Sequence, residues 1–304
     1  MSPRLFLPTL LIALIPCAQS ADSAAPAPYR SAGDIIEAAP PTAWRLPDPA
    51  RLLYMELPQG RVVIELAPQF APEHVANIIK LAQQHFWDGT SIYRAQDNFV
   101  VQFGDADADD PGKAKSLGDA KAHLPAEFHR PAAGLNFAAL PDSDGWAPQV
   151  GFVDGFPAAR DPKTGTVWPV HCYGTVGAAR GNDADSSTGA ELYVAIGQSP
   201  RQLDDNLTVV GKVLVGMELL ATIRRGPAPS GIYENPAERT PIRSVRLASD
   251  VPKEQRTRLI VLRTDTDTFR DATAARRHRI DDFYKRSSGH IDICNVPVAV
   301  EVAE

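Results

Sequence analysis

Between Leu52 and Leu247 the chain breaks into short strand-like pieces with little room for helices, and that density limits its fold more than any other feature. Leu52-Leu53-Tyr54-Met55-Glu56-Leu57 and Arg61-Val62-Val63-Ile64-Glu65-Leu66 are apolar runs of β-formers on either side of Pro58-Gln59-Gly60, and they read as a hairpin. Thr90 to Arg94, Asn98 to Gln102, Tyr173 to Val176, Glu191 to Ile196, Thr208 to Val213 and Ile242 to Leu247 continue the series. One stretch has a clear helical period: Pro72 opens it, and Val75, Ile78, Ile79, Ala82 and Phe86 form an apolar stripe suited to core packing. A short helix is expected near Met217 to Arg225. Many short strands with few helices predict a mostly β barrel or sandwich.

The segments outside this series have different textures. Met1 to Arg4 carries a positive charge, Leu5 to Pro16 is apolar, and Ala18-Gln19-Ser20 places small residues before Ala21, the pattern of a cleaved export signal over residues 1–20. The rival reading, a lipid anchor through Cys17, suffers from Pro16 immediately before the cysteine. The apolar run is shorter than the roughly 20 residues a membrane-spanning helix needs, and no later segment qualifies, so no membrane span is expected. Export places the mature chain in an oxidising compartment, the periplasm or outside the cell. There Cys172 and Cys294 can pair or stand as two buried thiols, and spacing alone leaves both open. Residues 21–49, rich in Ala and Pro, read as a mobile linker. Gly134 to about Val170, full of Gly, Pro and Asp, reads as an insertion with long loops rather than regular structure. Residues 249–304 read as a small α/β extension, with a strand at Leu259 to Leu262, a charged helix at Thr268 to Tyr284 and a strand at Val296 to Val302. The cluster Arg276-Arg277-His278-Arg279 reads as a solvated helix face.

Function is approached first by elimination. A formal net charge of −6 gives no basic footprint for nucleic acid. The chain has no Gly-x-Ser-x-Gly elbow, no His-Glu-x-x-His and no phosphate-binding loop, and its seven histidines lack metal-ligand spacing. Asp105, Asp107 and Asp109 alternate as in a calcium loop, but Asp110 stands where glycine is needed and Ser116 where glutamate is needed. An enzyme of this composition therefore needs a reaction that requires no metal, cofactor or nucleophile. Rotation about a prolyl peptide bond is such a reaction.

Val75-Ala76-Asn77-Ile78-Ile79-Lys80-Leu81-Ala82 followed by Phe86-Trp87-Asp88-Gly89-Thr90-Ser91-Ile92-Tyr93-Arg94 resembles the signature of the cyclophilin family of prolyl isomerases. Phe99-Val100-Val101-Gln102-Phe103-Gly104-Asp105 is similar to that family's next block, and the stretches at 174–180, 191–194 and 203–213 match later blocks in order. The resemblance covers about Leu52 to Leu247. It implies a closed eight-stranded antiparallel barrel capped by two helices, forming a domain over residues 50–248, with a proline groove on its outer face. It implies Arg94, Phe99 and Gln102 as catalytic residues, and Val100, Tyr193, Leu203 and Leu207 as groove-lining residues, with Tyr193 where the family usually has a pocket phenylalanine and Leu207 where histidine or tyrosine is frequent. Ala179 and Arg180 fall in its backbone-binding segment, and Glu191 replaces the usual glutamine, which would put a charge near the substrate backbone. Gln202 stands where tryptophan is frequent. The implied partners are proline-containing polypeptides and the implied activity is isomerisation during folding of exported proteins, with no cofactor. The other reading is a client-binding module with little turnover that holds its client through the insertion and the C-terminal extension; a charged Glu191 and an insertion that could obstruct the groove are the features behind it.

Overall fold

The computed structural model describes residues 29–303, so the expected export signal, residues 1–20, and Cys17 lie outside the described residues. The strand series forms one antiparallel sheet of nine strands. Their order is Thr240–Pro241, Ser91–Ala95, Val100–Gly104, Leu192–Ala195, Thr175–Ala178, Val209–Val215, Gly60–Leu66, Leu52–Leu57 and Ser244–Leu247. The sheet is mostly β as expected but is not a closed eight-stranded barrel. It is a curled half-barrel whose two edge strands are consecutive in the chain, separated by Ile242 and Arg243. The edges do not ladder to each other. Pro241 has no N–H to offer, and the amides of Ile242 and Arg243 go instead to the carbonyls of Thr90 and Glu56.

Strand alternation fills the interior. Val101, Phe103, Leu192, Val194 and Val176 point inward with Leu53, Met55, Val62 and Ile64 to form the main core. Helix α2, Pro72–Gln83, covers this core with Val75, Ile78, Leu81 and Ala82; the buried Asn77 satisfies itself on the backbone of Lys121 and Thr188. Helix α3, Met217–Ala221, is shorter than its apolar pattern suggested.

Three flanking expectations are corrected. The insertion is not loop-like. Arg130–Pro131, Thr166–Pro169, Phe156–Asp161, Gln149–Val153 and Phe137–Ala139 make a five-stranded antiparallel sheet in that order. Its central hairpin turns on Asp154-Gly155, both with positive φ (51° and 86°), the two-residue turn that suits strand twist. The segment expected to be a linker is folded from Ala32 onward. Helix α1, Ala32–Glu37, has a capping box between Ser31 and Asp34, and strand Trp44–Arg45 pairs with Leu259–Leu262. Arg45 then holds the buried Glu65 through two hydrogen bonds of 2.6 and 2.8 Å. In the extension, helix α4 is Asp267–Arg277, ending where Arg277 is fixed on Asp142 of the insertion. The last strand is confined to Val300–Val302, past Pro297, which cannot donate to a ladder.

The insertion sheet buries both faces. Val150, Phe152 and Ala159 meet Leu262, Phe269, Ile293 and Val296 of the extension, while Val153, Phe156 and Ala158 meet Ala67 and Phe70 beside the half-barrel. Cys172 and Cys294 lie in the first of these clusters and form a disulfide, with Cα atoms 5.1 Å apart. Insertion and extension are thus one packed unit rather than two appendages.

Candidate active site

The residues that face outward from the sheet form a row. Across the strands, Arg94 is opposite Gln102, Gln102 opposite Tyr193, and Tyr193 opposite Gly177. A register shift between Ile92 and Arg94 makes Tyr93 the extra residue, so Ile92 and Ala95 both face the core while Arg94 faces out. The row lies over a cavity of about 300 Å3 lined by Arg94, Phe99, Val100, Gln102, Ala179, Arg180, Tyr193, Leu203 and Leu207. Nine of the ten residues singled out from the sequence therefore meet in one place. None of the lining residues comes from the insertion, which leaves the cavity open.

Arg94 is half-buried and held from three directions. Its Nε donates to the Ser230 carbonyl at 2.8 Å, Nη1 donates to Gln102 Oε1 at 3.1 Å, and Nη2 donates to Gln96 Oε1. A guanidinium has five N–H donors, so two are left for a ligand. Its carbon lies 5.7 Å from the centroid of the Phe99 ring. Burial lowers its pKa below the ordinary value, yet an arginine stays charged. Gln102 is oriented at its other end, where Nε2 donates to the Tyr93 hydroxyl at 2.6 Å.

The remaining lining residues divide into walls and their supports. Leu203 ends a 3-10 turn, Arg201–Leu203, and Leu207 follows on the same loop. Arg180 commits its donors to the carbonyls of Gly181, Asn182 and Asn206 and lies over Phe128, so it ties the Leu207 loop to the sheet. Gln202 points into solvent.

Glu191 is the exception, and the charge expected beside the substrate is corrected. It lies on the same face as the row, over Gly104 and outside the cavity lining, with Oε1 accepting from the Asp105 amide at 2.6 Å and Oε2 without a partner among the described residues. Its carboxyl occupies the space over Gly104, where a Cβ would stand 2.2 Å from Oε2. Burial, helped by the carboxylates of Asp105 and Asp109, pushes its pKa up to about 8 against the opposing pull of the Tyr93 hydroxyl and the Asp105 amide. At neutral pH it is mostly uncharged, in the state closest to the glutamine it replaces.

One polar residue at this site escaped the sequence reading. His171 is fully buried, and its Nε2 lies 2.9 Å from the Tyr193 hydroxyl. A search for metal-ligand spacing passes over it. The signal that could have found it is its place at the end of the apolar run Val167-Trp168-Pro169-Val170.

The comparison with known proteins agrees with this geometry. Residues 52–247, about two thirds of the chain, match the model of the family described as cyclophilin type peptidyl-prolyl cis-trans isomerase/CLD. The chain belongs to the cyclophilin family. A probable peptidyl-prolyl cis-trans isomerase of Brucella suis biovar 1 (strain 1330) is 28% identical over 196 residues, 62% of this chain and 80% of the relative. Peptidyl-prolyl cis-trans isomerase-like 1 of Homo sapiens is 32% identical over 83 residues, 27% of this chain and 48% of that protein. Among solved structures, cyclophilin AquaCyp293 from Hirschia baltica superposes with a TM-score of 0.67 at 26% identity, covering 90% of this chain and 98% of the other. That coverage reaches beyond residues 52–247, so the likeness takes in flanking segments of this cyclophilin as well. The chain is a peptidyl-prolyl isomerase by family, and among its described residues no helix is long and apolar enough to cross a membrane.

Proposed function

We propose that this cyclophilin isomerises X-Pro bonds in exported polypeptides, with Arg94 stabilising the twisted transition state over a pocket walled by Phe99, Val100, Tyr193 and Leu203. The observation that carries the reading is the convergence of a guanidinium with two uncommitted donors and a cavity of about 300 Å3 whose walls include Phe99, Val100, Tyr193 and Leu203. The planar amide resists rotation by a barrier near 18–20 kcal/mol because nitrogen shares its lone pair with the carbonyl. At the twisted state the nitrogen regains that pair, and a positioned N–H can donate to it. The ground state offers no such acceptor, so the interaction favours the transition state selectively.

Magnitudes divide the labour. Millisecond turnover from a reaction that takes tens to hundreds of seconds needs about four to five decades, or roughly 6 kcal/mol. A charge-assisted hydrogen bond contributes about 1.5–3 kcal/mol net. Arg94 therefore supplies half or less, and the walls supply the rest by holding the ring while the preceding carbonyl swings in a drier medium.

The test is a proline-peptide isomerisation assay on the wild type and Arg94→Ala. The expected loss in kcat/KM is about tenfold to a hundredfold, the equivalent of one charge-assisted hydrogen bond. Equal, negligible rates in both proteins would favour a client-binding module instead. The two features behind that alternative, a charged Glu191 and an obstructing insertion, lose weight because neither reaches the cavity. Export is supported by the N-terminal residues and by the Cys172–Cys294 bond, which suits an oxidising compartment. Fractionation and mass analysis of the mature N-terminus test it, with Ala21 expected as the first residue.

A further inference from the structure

Tyr193 is the wall of the cavity that carries a hydroxyl, and that hydroxyl is buried: the residue is 4% exposed. A buried phenol needs a partner, or its ring turns to find one. The partner is His171, whose ring lies nearly parallel to the phenol, with planes 9° apart and Nε2 2.9 Å from the hydroxyl. The other imidazole nitrogen, Nδ1, lies 2.9 Å from Asp204 Oδ1, which also accepts the His171 backbone amide. A carboxylate only accepts, so Nδ1 carries the proton and Nε2 accepts from Tyr193. Asp204 is fixed in turn: its Oδ2 accepts from Arg201 Nε at 2.6 Å, and Arg201 grips Asp144 through two further bonds of 2.9 Å. Every member of this chain is buried.

Two observations tie the chain to the pocket rather than to general stability. Arg201 and Asp204 bracket Leu203, a second pocket wall, on the same short turn. Asp144 belongs to the insertion, and His171 lies two residues past the insertion's strand Thr166–Pro169. A Cβ at Gly177 would stand 2.2 Å from Tyr193 Cζ, so the phenol packs directly on the backbone of the neighbouring strand.

We propose that His171 is a positioning residue for the isomerase reaction, holding Tyr193 as a fixed wall, and that the insertion acts on the site by bracing it from behind. This rests on the reading of the cavity as the proline site. The test measures kcat and KM for a proline peptide in four proteins besides wild type: Arg94→Ala, Tyr193→Phe, His171→Gln and His171→Leu. Tyr193→Phe keeps the ring but releases it, and should raise KM about fivefold, the worth of one ordinary hydrogen bond, with kcat near wild type. His171→Gln retains an acceptor and should keep KM near wild type, whereas His171→Leu should raise it as Tyr193→Phe does. Combining His171→Leu with Tyr193→Phe should add nothing, because both cut the same link. Where His171→Leu does not fold, the 15N signal of the His171 Nε2 in Tyr193→Phe reads the same link, and an unchanged signal overturns the proposal. Wild-type KM in Tyr193→Phe, or a double-variant effect equal to the product of the singles, overturns it too. The expected loss of about tenfold to a hundredfold in Arg94→Ala alongside either result leaves the pocket reading standing, while an unimpaired Arg94→Ala removes both.

Discussion

At the residue scale, the most consequential departure from the family pattern is Glu191, and its effect is on stability rather than on substrate charge. Its pKa is raised in the fold, from the ordinary 4.5 to about 8. A raised carboxyl contributes stability that is fully present below about pH 4.5 and is lost as pH rises through about 8, since the unfolded chain ionises first. The melting temperature of the wild type is therefore expected to fall between those limits more steeply than that of Glu191→Gln. The variant should be the more stable protein on the alkaline side, with its isomerase rate preserved. Melting curves for both proteins across that range decide the matter; parallel profiles would mean that the carboxyl is ionised throughout. Arg94, Gln102 and Tyr193 could be read from sequence because the blocks that carry them resemble those of the cyclophilin family and arrive in order. His171 could not. Its two partners lie 22 and 33 residues away and owe their contact to a fold that local spacing does not encode.

At the element scale, the insertion shows how turn chemistry can outweigh composition. Its Gly, Pro and Asp content suggests loops, yet Asp154-Gly155 is among the strongest short hairpin signals, and the residues beside it alternate between two cores. Gly155 has a φ of 86°, a conformation that a β-branched residue adopts only under strain. Gly155→Val should destabilise the protein by about 1–2 kcal/mol. It should leave kcat unchanged, because no residue of this hairpin lines the cavity. Denaturant unfolding with parallel assays checks both halves, and a drop in kcat without a loss of stability would contradict the assignment. The half-barrel's edge was illegible for the opposite reason. Thr240–Pro241 looks like nothing in a sequence, and only the returning chain shows that it completes the sheet beside Ser91.

At the scale of the whole molecule, the segments before and after the half-barrel and the insertion within it form one second unit, and the disulfide is its covalent link. Cys172 sits at the exit of the insertion and Cys294 on the extension, 122 residues apart, within a cluster that also holds Phe152, Trp168, Phe269 and Ile293. A cross-link between such distant positions restricts the unfolded chain strongly, and removing one of this kind costs about 2–4 kcal/mol. Replacing both cysteines with alanine should lower the unfolding free energy by that amount, with a lower denaturant midpoint that is insensitive to reductant, whereas the wild-type midpoint should fall when reductant is added. The isomerase rate under native conditions should change little, because the row from Arg94 to Gly177 is carried by half-barrel strands with their own core. What should change is the coupling between the two units. Cys172 is bonded next to His171, so with the link absent the segment that braces Tyr193 is held by side-chain contacts alone. A rise in KM that appears in the double-alanine protein only as denaturant approaches its midpoint, before kcat declines, would place the loosening there. Simultaneous loss of both parameters would mean that the two units unfold as one.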